Sequence, residues 1–137
     1  MNKLQKAIIK YQGALLDLRD AEKARLEFER NYIVENNITN ADGTHPECFP
    51  QIDCNATFMR IVSLWLNNGG ELRHNEEYCN LVTAVADAKW AVTQTQWNLC
   101  RAYDDSLPKE QRHSAMVMYE QSHETRAQVI KLALEAA

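Results

Sequence analysis

Residues 75–103 read NEEYCNLVTAVADAKWAVTQTQWNLCRAY, and this stretch decides the fold. Tyr78, Leu81, Val85, Ala88, Val92, Thr95, Leu99 and Ala102 recur at spacings of three and four without a gap. That period marks one face of an α-helix in a coiled-coil-like heptad register. Neither Gly nor Pro interrupts it, and Glu76 and Glu77 stand where a helix N-terminus favours negative charge. A second stripe runs beside the first, through Cys79, Val82, Ala86, Trp90, Trp97 and Cys100. Two apolar stripes on one helix imply two different neighbours.

Upstream, residues 2–37 carry a similar period. Leu4, Ile8, Tyr11, Leu15 and Leu18 open a stripe that Ala21, Ala24, Phe28 and Tyr32 continue. Lys23 and Glu27, and Arg25 and Glu29, form i, i+4 pairs on the other side. Gly13 weakens this helix by about 1 kcal/mol relative to Ala, which implies close packing at that point. Residues 39–54 have no period. Pro46 and Pro50 bias their predecessors away from helix, so this is a long loop. Residues 55–68, from an Asn55 cap to a stop at Gly69, predict a short helix that is apolar nearly all round and therefore buried. A strand is the alternative for so short an apolar run.

Downstream, residues 104–108 make a tight break, with Asp105 or Ser106 as the expected cap and Pro108 tolerated in a first turn. One last helix is expected over residues 108–135. Its buried stripe would be Met116, Tyr119, His123, Ala127, Ile130 and Leu134. So short a connection makes the last two long helices antiparallel neighbours.

The chain has 137 residues, room for a single domain over 1–137. Its 45% hydrophobic and 25% charged residues belong to a globular protein rather than a disordered one. A helix over residues 2–37 would be about 50 Å long, against about 37 Å for the diameter of a compact globule of this size. The expected fold is therefore an all-α, elongated antiparallel helical bundle. Three long helices, one short buried helix and a long loop compose it.

Lys10 and Gln12 interrupt the first apolar run before a signal-peptide core could form, and no stretch approaches the roughly 20 apolar residues of a membrane span. A cytoplasmic location is expected, with the four cysteines as thiols or metal ligands rather than disulfides. The net charge is −4, divided as +1 over residues 1–38, −2 over 39–74 and −3 over 75–137. That balance gives no electrostatic case for nucleic acid or an anionic membrane. Lys3, Lys6 and Lys10 form the one locally basic patch, which leaves a nucleic-acid-associated accessory factor as an alternative.

The chemistry-bearing residues assemble into no familiar site. His45, Cys48, Cys54, His74 and Cys79 are the candidate metal ligands, but no Cys-x-x-Cys is present and the Cys48–Cys54 spacing is long for zinc. Asn40-Ala41-Asp42-Gly43 fails as a calcium loop: with Gly43 at the sixth position, Ile38 falls on the first. Cys79 and Cys100 are expected to be small buried residues; about 30 Å of helix rise separates them, which excludes a disulfide between them. His123 falls on an apolar stripe, where a satisfied packing role is the ordinary outcome, and His113 has no Ser or Asp partner at a diagnostic spacing. There is no Gly-x-Ser-x-Gly and no phosphate-cradling glycine loop.

By elimination, the sequence points to a non-enzymatic protein–protein interaction module, an adaptor or inhibitor acting on a larger complex, such as a mobile-element-encoded antagonist of a host system. No cofactor is expected. A small metal protein or enzyme with its site under the 39–54 loop is the alternative. The candidate contact residues are Trp90 and Trp97 on the second stripe, with Phe28 and Tyr32 on the distal half of the first helix. Exposed aromatic surface of this size predicts a homodimer.

Overall fold

A computed structural model describes residues 1–37, 39, 42–48 and 74–136. Of these, 82% are helical and none is in a strand, so the protein is an all-α helical bundle. Helix α1 spans Lys3–Glu35 and helix α2 spans Glu76–Ser106. A 3₁₀ turn, Lys109–Gln111, leads into α3, Ser114–Gln121, and α4, His123–Glu135. The expected third long helix is thus two shorter ones. The expected short helix at 55–68 lies outside the described residues. The described part of the loop, residues 42–48, is non-helical. There Thr44 donates to the Asp42 carboxylate from both its backbone N–H, at 3.0 Å, and its hydroxyl, at 2.6 Å. The hydroxyl bond first, then the backbone one, holds that carboxyl below its ordinary range.

The residues group into two compact units, one of Met1–Arg19 with Asp87–Ala137 and one of Asp20–Ala86. Helices α1 and α2 each contribute residues to both. In the first unit, Leu4, Ile8 and Tyr11 of α1 pack with Leu99 and Ala102 of α2 and with Ala133 of α4. A second cluster joins Cys100 of α2 to Ala115 and Tyr119 of α3 and Val129 of α4, and Tyr103 and Ile130 touch both clusters. The last turns of α2 are therefore covered from two sides. In the second unit, Phe28, Tyr32 and Ile33 of α1 pack with Tyr78 of α2, the Phe28 and Tyr78 ring centroids 5.4 Å apart.

The inner stripe of α2 is as the period predicts, with Tyr78, Val85, Leu99 and Ala102 buried and Leu81, Ala88, Val92 and Thr95 half-buried. Helix α1 departs from its predicted stripe after Tyr11. Ala14 is buried and Leu15 exposed, and further on Glu29 and Ile33 are buried. A Cβ at position 13 would meet nothing within 4 Å among the described residues, so none of them makes the close approach that Gly13 was expected to allow.

The last segment breaks where its period gave no warning. Ser122 adopts an extended backbone and caps α4: its hydroxyl accepts the Thr125 N–H, while its own N–H donates to the Thr125 hydroxyl. The break frees carbonyls at the end of α3. The Thr125 hydroxyl takes that of Met118 at 2.5 Å, and Arg126 Nε takes that of Tyr119 at 3.1 Å. Rotating the chain here moves the buried face to Ala115, Tyr119, Val129 and Ala133, and leaves His123, Ala127 and Leu134 exposed.

The cap of α3 comes from a distance. His113, in the left-handed region at φ 76°, offers no side-chain cap. Instead the carboxylate of Asp104, only 1% exposed, accepts the N–H of His113 at 2.9 Å and that of Ala115 at 3.1 Å. The expected caps do other things: Asp105 faces Arg101 at 3.9 Å, and the Ser106 hydroxyl donates to the carbonyl of Tyr103.

Candidate functional site

In the first unit the outer stripe of α2 is open at Trp90 and Trp97, while its last member, Cys100, is buried. Trp90 is 64% exposed and Trp97 is 40% exposed, although both carry large apolar rings. They lie seven residues apart, two helical turns, so they share one face about 10 Å apart along the axis. Beside them is a groove of about 550 Å³. Trp90, Thr93, Gln94, Trp97 and Asn98 line it from α2, Tyr119 from α3 and Arg126 from α4.

The break at Ser122 builds the far wall. Because Arg126 Nε reaches back to the Tyr119 carbonyl, its guanidinium lies 4.4 Å over the Tyr119 ring. That geometry suits a cation–π contact. The Tyr119 hydroxyl in turn donates to Gln96 Oε1 at 3.2 Å, which ties α3 to α2. Burial pushes the Tyr119 hydroxyl above its ordinary pKa, with the Arg126 charge opposing. Burial likewise raises the neighbouring Cys100 thiol to about 11, again with Arg126 opposing. On the near side, Arg101 stacks 5.5 Å over the Trp97 ring.

The described lining thus offers flat aromatic surface, amide groups and one cation, and no carboxylate. Among the described residues Arg126 has no carboxylate within ion-pair distance; the pairs there are Arg25–Glu29 and Arg101–Asp105. Such a surface is suited to bind an apolar or aromatic group with negative charge nearby.

The other candidate residues are placed differently. Phe28 and Tyr32 are half-buried and pack against Ile33 and Tyr78 in the second unit. Of the candidate metal ligands, His45, His74 and Cys79 are exposed, Cys48 is half-buried, and Cys54 lies outside the described residues. Among the described residues no three His, Cys, Asp or Glu side chains converge to hold an ion, and there is no disulfide. The expectation that Cys79 is buried is corrected: it stands on the open stripe, whereas Cys100 is buried under α3 and α4. Lys3, Lys6 and Lys10 are all exposed on α1. Among the described residues no helix is long and apolar enough to cross a membrane.

The sequence alone did not reveal a buried polar cluster in the second unit. Glu29, 3% exposed, accepts a 2.8 Å hydrogen bond from the Tyr78 hydroxyl and faces Arg25 at 3.9 Å. Burial raises the Glu29 carboxyl above its usual value, against the Tyr78 bond and the Arg25 charge. Burial and the Glu29 bond raise the Tyr78 hydroxyl as well. Among the described residues neither Arg25 Nε nor Glu29 Oε2 has a hydrogen-bond partner. An i, i+4 pair that reads as a solvated helix face is in fact inside the unit.

No protein-family model matches the chain, and neither a curated protein nor a solved structure matches it. Function therefore has to be read from the chain's own surface.

Proposed function

We propose that this chain is a non-enzymatic protein-interaction module of the cytoplasm. It self-associates as a homodimer through the outer face of α2 and serves as an adaptor or inhibitor of a larger complex. One observation carries the reading: Trp90 and Trp97 stand open on one helix face beside a groove walled by Tyr119 and Arg126. Tryptophan and arginine are the residue types most enriched where binding energy concentrates in protein interfaces. Burying the open part of each ring contributes favourably in proportion to its area. A monomer gains nothing from the parts of these rings that it leaves in water.

Light scattering across micromolar concentrations tests the reading. The expected result is a dimer that Trp97→Glu dissociates while the far-UV spectrum keeps its helical shape. A monomer at every concentration, or a dimer indifferent to Trp97→Glu, contradicts it.

A further inference from the structure

We propose that the second copy sits antiparallel on α2, with its Trp97 against Trp90 and its Arg101 beside Asp87. The inference rests on the interaction reading above and adds the occupant's orientation and register.

Asp87 lies three residues before Trp90, and Arg101 lies four residues after Trp97. Residues three and four apart share a helix face, so all four side chains belong to one stripe. All four are exposed. Over Asp87–Arg101 the stripe thus reads acid, Trp, Trp, base, and Asp105, which pairs with Arg101, lies one turn beyond that stretch. Reversing a second copy of that pattern on the first sets each acid against a base and each Trp90 against a Trp97. The arrangement is self-complementary, as a two-fold interface must be. A parallel copy would set acid on acid and base on base, and such like-charge contacts oppose association.

The receiving end is more basic than the helix alone provides. With Trp90 opposite Trp97, Asp87 falls beside residues 100 and 101 of the second copy. Arg101 is held there over Trp97. Arg126 stands near the same place, stacked on Tyr119, which packs against Cys100. The only described carboxylate paired with either arginine is Asp105, 3.9 Å from Arg101, with both side chains about half exposed. A pair so open to solvent holds Arg101 weakly and leaves it available to a second acid. Thr93 and Gln94 would meet near the two-fold axis, where small and amide side chains tolerate a like neighbour.

Sedimentation of four samples at low salt tests the register: the wild-type chain, Asp87→Arg, Arg101→Asp, and a 1:1 mixture of the two variants. Far-UV spectra of the variants check that each is folded. The wild-type chain should be a dimer. Each variant alone should associate at least tenfold more weakly, because both ends of its dimer then set like charges together. The mixture should regain the wild-type affinity, since in the mixed dimer every charge again faces its opposite. A wild-type dimer whose affinity neither variant changes, or a mixture no tighter than its components, overturns the register. Loss of that dimer in Trp97→Glu would then show that the tryptophan face is used in another orientation. A wild-type chain that stays monomeric overturns both proposals.

Discussion

Asp104→Ala should be among the most damaging single substitutions in the first unit. Its carboxylate is the acceptor for two N–H groups at the start of α3, those of His113 and Ala115. Ala115 is buried, so truncation leaves its N–H without water, at about 1–3 kcal/mol. The His113 N–H, nearer the surface, recovers part of its loss from solvent, leaving about 1 kcal/mol. Removing negative charge from a helix N-terminus adds about 0.3–1 kcal/mol. The sum is roughly 3 kcal/mol. With an unfolding entropy of about 2.1 cal/mol/K per residue, a chain of this length should lose about 10 °C in Tm. Asp104→Asn keeps one acceptor but turns an amide NH₂ towards the other donor, so it should lose about half as much. Asp105→Ala, which removes only an exposed pair with Arg101, should cost under about 0.5 kcal/mol. Thermal melts followed by circular dichroism at 222 nm read all three. Equal melting temperatures for Asp104→Ala and Asp105→Ala would refute the capping role.

Three further outcomes are expected. Gly13→Ala should stabilise by about 0.5–1 kcal/mol in urea melts, since Ala has the higher helix propensity and the Cβ meets nothing among the described residues; destabilisation would reveal a close contact there. Burial holds the Glu29 carboxyl above its usual 4.5, so the folded chain keeps a proton that the unfolded chain sheds. Stability from this site is full below pH 4.5 and falls as pH rises through the folded value; Glu29→Gln should flatten that part of a urea-midpoint profile. In thiol titration under native conditions Cys79 should react fast and Cys100 slowly, given its burial and a pKa of about 11; in denaturant without reductant all four thiols should react, and only two would indicate a disulfide.

Helix α2 was legible because one signal ran through it uninterrupted: a three-four period with no breaker and acids at its start. The same signal misled in the last segment. Met116, Tyr119, His123 and Ile130 keep an apolar-compatible spacing across Ser122, so periodicity alone joins α3 to α4. The local clue was the pair Ser122 and Thr125, whose side chains cap each other's backbone. Asp104 was not legible as the cap, because its donors lie nine and eleven residues on. Glu29 and Tyr78 are 49 residues apart, and no local pattern announces that bond. Trp90 and Trp97 could be singled out from the sequence because two heavy aromatics fall outside the core stripe. Tyr119 and Arg126 could not, since they reach the groove only through the turn at Ser122.

Side-chain accessibility tests most directly whether a partner covers Trp90 and Trp97. Hydroxyl-radical footprinting, read residue by residue across a dilution series, should show both rings oxidised readily in dilute monomer and protected severalfold in the concentrated dimer. Oxidation that stays constant for both rings while sedimentation reports a dimer would place the interface elsewhere and contradict the claim.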